Sequence, residues 1–149
     1  MTTIKLITTI NAPIKKVFNL SRNIDVHLKS TEKTKESAIY GRTSGCMELG
    51  ETVRWRGKHF GLFLEHESII TALETSSYFV DEMKDGLFKW LKHEHLFYEK
   101  EKQTIMTDVF SYQTPFGVFG WIFDQIILKK HLVSFLKKRN NYIKKIAEK

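Results

Sequence analysis

Residues 115–149, PFGVFGWIFDQIILKKHLVSFLKKRNNYIKKIAEK, carry a helical hydrophobic pattern along their whole length. Apolar residues recur there at spacings near three and four, from Val118 through Ile126 and Leu136 to Ile146. Pro115 stands where the first turn of a helix tolerates proline. About 30 residues at a rise of 1.5 Å predict one amphipathic helix about 45 Å long. Because this length exceeds the width of a small domain, the helix has to lie across a broad partner.

The chain before this helix has mostly the alternating, β-branched pattern of antiparallel strands. We expect strands over residues 3–10, 37–40, 51–57, 59–73, 78–83, 87–98 and 104–112. Two short helices are predicted after the first strand, over 14–21 and 24–28, with Asn11 and Asn23 as caps. Turns are predicted at Gly57-Lys58, at Asp85-Gly86 in the type I′ form, and within 99–102.

This order of elements predicts an α+β fold, in which a curved antiparallel sheet of six to seven strands wraps around a long C-terminal helix. A sheet curved in this way usually encloses a cavity. The 149 residues are expected to form one domain, 1–149, with room for a substantial core. A hydrophobic fraction of 42% that includes 11 Phe suits a large apolar interior.

The compartment is expected to be the cytoplasm. Cys46 is the single cysteine, so no intrachain disulfide or multi-cysteine metal site can form, which fits a reducing environment. The N-terminal residues alternate instead of forming an apolar block, and we therefore expect no signal peptide. No apolar run approaches the roughly 20 residues of a membrane span, because Asp124 and Gln125 interrupt the nearest one, 116–128.

Three segments carry a resemblance to a known family: LGETVRWRGKHFG (49–61), VDEMKDGLFKWLKHEHLFY (80–98) and TIMTDVFSYQTPFGVFG (104–120). Together with the order of elements, they resemble the SRPBCC superfamily. This is the START-like, helix-grip group of polyketide cyclases, lipid-transfer proteins and birch-pollen-allergen-like proteins, and the likeness is to a mostly uncharacterised bacterial cluster within it. The resemblance covers nearly the whole chain and implies a ligand-binding domain.

The resemblance implies binding of a small, largely hydrophobic molecule, a lipid, polyketide or aromatic compound, between the sheet and the C-terminal helix. The fold hosts transport, sensing and catalysis alike, so a cyclase or dehydratase using His95 and Asp108 is the alternative. No pattern for an iron-sulphur centre or for the mononuclear iron site of ring-hydroxylating relatives is present, and we expect no cofactor. The protein is expected to be a monomer or a weak homodimer.

The last predicted hairpin holds the candidate site. If residues 99–102 close it, eight residues share one face, and each residue of one strand lies opposite one of the other. The expected pairs are Leu91 with Tyr112, His93 with Phe110, His95 with Asp108, and Phe97 with Met106. The reverse face carries Lys92 and Glu94, which belong in water, so the eight residues are expected to face the cavity and to contact the ligand.

An imidazole beside a carboxylate in an apolar pocket can hold a polar group of a ligand or move a proton. It can equally be a satisfied polar pair that fixes the strand register. We favour ligand contact over a purely structural pair, and both over catalysis. A zinc site formed by His93, His95 and Asp108, with His59 or His66 added, is a less favoured interpretation, because a two-residue histidine repeat arises readily by chance.

The first half of the C-terminal helix is expected to roof the cavity. Phe119, Phe123 and Ile126 are predicted to be both core and pocket wall. Glycines at 117 and 120 allow the helix to approach the sheet closely or to act as a hinge. A bulge near Trp90 and Leu91 would change which residues of that strand face inward.

The net charge is +7, and the excess is concentrated at the end of the helix. From Lys129 onward, seven Lys and one Arg face the single acid Glu148. A solvated outer face is the favoured explanation, because cations are stabilised at a helix C-terminus and no nucleic-acid motif accompanies them. The alternative is contact with anionic membrane or nucleic acid. Arg54, Arg56 and Lys58 form a second basic face. It is either solvated, which is favoured, or one of its cations reaches the cavity mouth and pairs with an acidic ligand group or with Glu65 or Glu67.

Overall fold

Seven antiparallel strands form one sheet in the computed structural model, which describes residues Met1 to Lys149. The strands are β1 (Thr2–Ile10), β2 (Ser37–Gly41), β3 (Thr52–His59), β4 (Leu62–Glu74), β5 (Tyr78–Asp85), β6 (Trp90–Lys100) and β7 (Gln103–Gln113). Their order across the sheet is β1-β7-β6-β5-β4-β3-β2, so the last strand lies between the first and the sixth. The α+β architecture predicted from the sequence is confirmed.

Two short helices, α1 (Ile14–Ser21) and α2 (Ile24–Ser30), follow β1 as predicted. The Asn23 side chain caps α2 by accepting a hydrogen bond from the backbone N–H of Val26 at 3.1 Å. The predicted cap at Asn11 is wrong. Pro13 occupies the N-cap position of α1, and the backbone N–H of Asn11 instead donates to Glu148 Oε1 at the end of the C-terminal helix, at 2.9 Å.

The C-terminal helix runs without a break from Gly117 to Ala147. It consists of α3 (Gly117–Phe123), a π-helical turn (Asp124–Leu128) and α4 (Lys129–Ala147). It begins two residues after Pro115, because Phe116 adopts a left-handed conformation with φ of 68°. The close approach permitted by Gly120 is made to the turn before the helix and not to the sheet, since a Cβ there would overlap the carbonyl of Pro115.

The second half of this helix packs against the rest of the molecule. α4 contacts β1, α1 and α2, and it buries Leu136, Ile143 and Ala147 in the core. Ile143 and Ala147 join the main hydrophobic cluster with Phe18 and Met106, whereas Leu136 belongs to a second cluster around Tyr112. The helix is therefore held along α4, and the sheet curves around that part of it.

The predicted register of the last hairpin is confirmed pair by pair. His95 lies opposite Asp108, His93 opposite Phe110, Leu91 opposite Tyr112 and Phe97 opposite Met106. Pairing of β6 with β7 is regular through Trp90 and Leu91, so no bulge changes which residues of β6 face inward. The hairpin closes at Glu101 and Lys102, whose φ values of 51° and 65° are those of a type I′ turn. All eight residues of the shared face are buried.

Two predicted turns lie elsewhere. β3 continues through Gly57 and stays paired with β4, and the chain reverses at Phe60 and Gly61 instead. The Glu36 carboxylate occupies the space that a Cβ at position 57 would need, which accounts for the glycine. Asp85-Gly86 is not a type I′ turn. The end of β5 stays paired with β4, with Asp85 opposite Glu67, and a four-residue connection, 86–89, leads to β6.

Candidate ligand-binding cavity

A cavity of about 260 Å³ lies between the sheet and the C-terminal helix. Half of its 30 lining residues are hydrophobic, among them Phe79, Phe88 and Leu132. The polar part of the wall is rich in imidazoles, because every histidine of the chain lines this one space. These residues are His27, His59, His66, His93, His95 and His131.

The innermost polar group consists of one carboxylate and two imidazoles on neighbouring strands. Asp81 of β5 lies directly opposite His93 of β6, and His95 follows two residues later on the same face. Asp81 Oδ2 is 2.7 Å from His95 Nε2 and 4.0 Å from His93 Nδ1. The two imidazole rings lie 3.7 Å apart between centroids. Phe79 stacks on His95 at 4.0 Å and forms an apolar side of the group.

Asp108 lies behind these imidazoles, fully buried, and is absent from the cavity wall. Its Oδ1 atom is 2.8 Å from His93 Nε2 and 3.3 Å from His95 Nδ1. From α4, Arg139 Nη1 donates to Oδ1 at 3.2 Å, and Asn140 Nδ2 donates to Oδ2 at 2.7 Å. Asp108 therefore fixes the orientation of both rings and connects the sheet to the helix.

The Asp81 and Asp108 carboxylates are held ionised. Burial opposes ionisation of Asp81, but the hydrogen bond with His95 and the electrostatic interaction with the neighbouring imidazoles of His95 and His93 outweigh it and lower its pKa to about 2. Burial likewise opposes ionisation of Asp108, and hydrogen bonds from His93 and His95 together with the charge of Arg139 hold its pKa well below the usual value. Burial and the neighbouring His95 lower the pKa of His93, which favours the neutral ring.

The other histidines form the sides and the mouth of the cavity. Burial, reinforced by the charge of Arg139, lowers the pKa of His27 to about 3, and its ring packs 4.4 Å from Trp55. His27 keeps some accessible surface because it lines the cavity. Near the mouth, His59 Nδ1 is 2.9 Å from His131 Nε2 on α4, and His59 Nε2 is 3.0 Å from Glu36.

The residues expected to contact a ligand divide into three groups in the structure. Four of them line the cavity: Leu91, His93, His95 and Phe110. Four lie buried behind the wall on the same strands: Phe97, Met106, Asp108 and Tyr112. The remaining three, Phe119, Phe123 and Ile126, are exposed outside the cavity, so their prediction as pocket wall is wrong.

The roof is formed by α4 and not by α3. The middle of the C-terminal helix has one side that faces the cavity. The residues of this side that line the cavity are Leu128, Leu132, Phe135, Leu136 and Arg139. α3 extends past the sheet, and the contact of Phe123 with Phe60, at 5.6 Å between rings, lies at the tip of the β3–β4 hairpin.

Sequence reasoning missed Asp81 and Arg139. The contact of Asp81 with the histidines does not follow from the sequence, because the predicted turn between β5 and β6 does not fix how these two strands pair. Arg139 and Asn140 lie in a basic run that was assigned to the outer face of the helix. Their spacing of three or four from Leu136 and Ile143 was the available signal that they lie on the buried stripe.

In the second basic face, Arg54 is ion-paired with acids of the neighbouring strands, Glu65 and Glu67 among them, as in the alternative to a solvated face. Arg54 forms ion pairs with Glu65 at 2.8 Å and Asp85 at 2.9 Å. Arg56 and Lys58 lie over the ring of Phe63, near the tip of the β3–β4 hairpin. This tip is part of the surface around the cavity mouth, because Phe60 and Leu64 line the cavity.

Solved structures share this architecture at low sequence identity. Zhui aromatase/cyclase from Streptomyces sp. R1128 has a TM-score of 0.74 at 14% identity, over 99% of this chain and 93% of that chain. The protein TTHA0849 from Thermus thermophilus also has a TM-score of 0.74 at 14% identity, covering 95% of this chain and 97% of that chain. Major latex-like protein 151 from Panax ginseng has a TM-score of 0.66 at 16% identity, covering 97% of both chains.

No family model matches the sequence, and a search of the curated proteins finds no match. The structural likeness together with the sheet, the two short helices and the long C-terminal helix nonetheless defines the fold. The chain has the helix-grip fold. None of its helices combines the length and apolar character needed to cross a membrane.

Proposed function

We propose that this protein binds a small, largely apolar molecule that carries one polar group, inside the cavity between the sheet and α4. The observation that carries the proposal is the division of the cavity wall. Aromatic and aliphatic side chains form its sides, and Asp81, His93 and His95 converge at one place on its floor. A small-molecule site usually has a mostly apolar wall with a few polar groups in it.

The convergent groups define the polar end of the ligand. The ionised Asp81 accepts a hydrogen bond from a hydroxyl or amine, and an imidazole donates to or accepts from an oxygen. A lipid, a polyketide or another aromatic compound with a single hydroxyl or carbonyl fits this pattern. The ligand would be met in the cytoplasm, as expected from the lone cysteine.

The test is binding of an apolar probe to the purified protein. 1-Anilinonaphthalene-8-sulfonate fluorescence is measured with the wild type, with Leu132→Trp, which fills the cavity from α4, and with Ser134→Trp, which adds the same side chain on the exposed side of that helix. We expect binding in the wild type and in Ser134→Trp, and its loss in Leu132→Trp. Native mass spectrometry of protein from its own host identifies a retained compound. Equal binding by all three proteins would place the probe outside the cavity and overturn the proposal.

Catalysis is the second candidate, and the contact between His95 and Asp81 favours it. An ionised carboxylate 2.7 Å from an imidazole on the cavity wall is a usable acid/base pair. Asp108, the partner named from the sequence, orients His95 from behind. A cyclase or dehydratase would therefore act through His95 and Asp81. Turnover of a polyketide or acyl substrate that is lost in His95→Ala, with folding retained, would establish the enzyme, and binding without turnover would support the transport or sensing role.

We also propose that the protein exchanges its ligand at an anionic membrane surface. Large apolar side chains are exposed on the overhanging α3 and the π-helical turn, beside the cavity mouth. This mouth patch consists of Phe116, Val118, Phe119, Trp121, Ile122, Phe123, Ile126 and Ile127 of the helix with Phe60, Leu62 and Phe63 of the hairpin. An exposed apolar surface of this extent marks an interaction site.

Charge selects a lipid surface as the occupant of the patch. Basic residues predominate among the exposed charged residues of the patch region. They are Arg56 and Lys58 on the hairpin and Lys129 and Lys130 after the π-helical turn, whereas the exposed acid Glu65 is ion-paired with Arg54. Asp124, the only acid between 114 and 135, is buried. Apolar side chains within a basic border match the interface of an anionic bilayer. The basic end of α4, considered from the sequence alone, lies outside this arrangement.

Vesicle sedimentation tests the contact. We expect binding to vesicles of phosphatidylcholine with phosphatidylglycerol, weaker binding to phosphatidylcholine alone, and loss of binding in Phe116→Ser/Phe119→Ser. Leu49→Ser is the control, since Leu49 is exposed on a distant connection. Binding to DNA, a second polyanion, is measured in parallel. Binding to DNA as strong as binding to vesicles, or a stable dimer formed through these residues in light scattering, would replace the membrane with another partner.

A further inference from the structure

We propose that Asp81, His93 and His95 bind a divalent transition-metal ion on the floor of the cavity. One ligand atom from each residue lies within 4.8 Å of the other two, which is close enough for a single ion to contact all three. The inference goes beyond the proposed binding of an apolar molecule and stands without it, since a metal titration needs no organic ligand.

The strands place the ligand atoms on one side. Asp81 and His93 are a cross-strand pair, and His95 follows His93 by one strand period, so the three side chains leave the sheet in the same direction. Asp81 Oδ2 is the near atom for both rings, at 2.7 Å from His95 Nε2 and 4.0 Å from His93 Nδ1. Two imidazoles and one carboxylate form a common ligand set for zinc and for non-haem iron.

Each imidazole has its other nitrogen held from behind, as metal-binding histidines usually do. Asp108 Oδ1 is 2.8 Å from His93 Nε2 and 3.3 Å from His95 Nδ1. Asp108 is in turn held by Arg139 and Asn140 from α4. His95 Nδ1 also lies 3.5 Å from Arg139 Nη2, so both Asp108 and Arg139 contact this nitrogen. His93 Nδ1 and His95 Nε2 are left directed towards Asp81, and an imidazole nitrogen without a proton is the form that binds a metal.

The charges inside the molecule also favour a cation. Asp81, Asp108 and Glu36 are carboxylates on or behind the cavity wall, and Arg139 is the permanent cation among them. Arg22 and Glu65, which also reach the wall, are paired outward with Glu48 and Arg54. The carboxylates of the interior therefore outnumber its permanent cation. A divalent ion at Asp81 balances this excess.

The site leaves positions open towards the cavity, because the three ligands all come from the floor. A bound ion there contacts water or an oxygen atom of a molecule in the cavity. The class of ligand would then be one with a metal-binding oxygen, such as a phenolate, carboxylate or enolised carbonyl. The ion itself, not only hydrogen bonds, would then select the polar end of the ligand.

The experiment is a titration of chelator-treated, intact protein with Co²⁺ and Zn²⁺, followed by calorimetry and by the visible absorption of Co²⁺. We expect one ion per chain and a marked loss of affinity in Asp81→Asn and in His95→Gln. Asp108→Asn should lower affinity by about 10–100-fold, the usual effect of an outer-shell partner. Glu94→Gln, a change on the reverse face of β6, should leave affinity unchanged.

X-ray absorption of the zinc-loaded wild type keeps the proposal testable if a variant fails to fold. We expect two imidazoles and oxygen ligands at about 2.0–2.2 Å. Absence of stoichiometric binding by the wild type would overturn the metal site and leave the apolar-probe experiment unaffected. Binding that persists in both Asp81→Asn and His95→Gln, or that is lost in Glu94→Gln, would also overturn it, because the ion would then lie elsewhere.

Discussion

The two halves of the C-terminal helix have opposite relations between sequence and environment. α3 is almost wholly apolar, yet Phe116 before it and Phe119 within it are 82% and 78% exposed. α4 is rich in Lys and Arg, yet it buries Arg139 and Asn140 at 4% and 2% exposure. Hydrophobicity alone therefore does not tell which half meets the core. Position relative to the sheet decides, because α4 lies across the curved sheet and α3 extends past it.

The π-helical turn joins the two halves, and its buried Asp124 anchors the junction. Tyr112 and Thr2 both donate hydrogen bonds to the Asp124 carboxylate at 2.5 Å. Insertions of this kind are frequent at functional sites because they redirect the helix face. Here the turn lies between two sets of residues. Those before it face water, whereas Leu128 and the inward-facing residues after it line the cavity. The comparison predicts large effects for polar changes in α4 and small effects for apolar changes in α3.

The largest effect is expected for Arg139→Met. Loss of the guanidinium leaves Asp108 buried without its cationic partner, which costs about 3–5 kcal/mol of the free energy of unfolding. Urea denaturation measures the change. Lys138→Met, the exposed neighbour on the same helix, is the control and should change stability by less than about 0.5 kcal/mol. Equal, small losses in both variants would mean that α4 does not depend on its buried charge.

The next effect concerns pH and His27, which packs beneath α4 near Phe135. Its pKa is lowered from 6.5 to about 3, so the folded protein holds the ring neutral while the unfolded chain protonates it below pH 6.5. This contribution to stability is complete above pH 6.5 and is lost as the pH falls towards 3. Its full size is a few kcal/mol. The charged and titratable groups around the ring are Arg139, Asp81, His93 and His95.

Comparison of the wild type with His27→Gln between pH 7 and pH 4 isolates the His27 contribution. Carboxylates elsewhere titrate in both proteins and therefore cancel in the difference. We expect the wild type to lose stability more steeply over this range by urea denaturation. Parallel curves would show that the ring is solvated and that α2 and α4 do not exclude water from it.

A smaller loss is expected for Tyr112→Phe, which removes one of the two hydrogen bonds to Asp124 at the junction. A buried carboxylate that loses one donor costs about 1–3 kcal/mol. Thermal or urea unfolding measures it, and Tyr98→Phe on the exposed face of the same sheet is the matched control. If both phenylalanine variants unfold like the wild type, Asp124 does not anchor the turn.

Much of the fold followed from local pattern. The alternation in β6 and β7 predicted the pairing of His95 with Asp108, because side chains alternate strictly along a strand and a turn of known position fixes the register. Asn23 was found as a cap for the same local reason. The positions of the two displaced turns depend on contacts between residues that are distant in the sequence. Gly57 lies within β3 and stays paired with β4, and Glu36, 21 residues earlier in the chain, fills the space beside it.

The candidate site was predictable only in part. His93 and His95 share a face by strand period, which the sequence alone indicates. Asp81 joins them through the pairing of β5 with β6. The register of this pair depends on how far along β5 the pairing with β4 extends. Phe119, Phe123 and Ile126 are predicted to be core because apolar residues usually lie inside, and the apolar pattern of α3 does not distinguish a buried segment from an exposed one.

The smallest effect on stability is expected where hydrophobicity is greatest, in α3. Phe116→Ser/Phe119→Ser removes two aromatic rings, yet the side chains are mostly in water, so the free energy of unfolding should change by no more than about 0.5 kcal/mol per site. Phe79→Ala, which removes a ring from the core, should cost about 3–5 kcal/mol and is the contrast. Urea denaturation of the three proteins measures both. A loss in the double variant close to that of Phe79→Ala would mean that α3 packs against the protein, and the mouth patch would then be core instead of a surface for membranes.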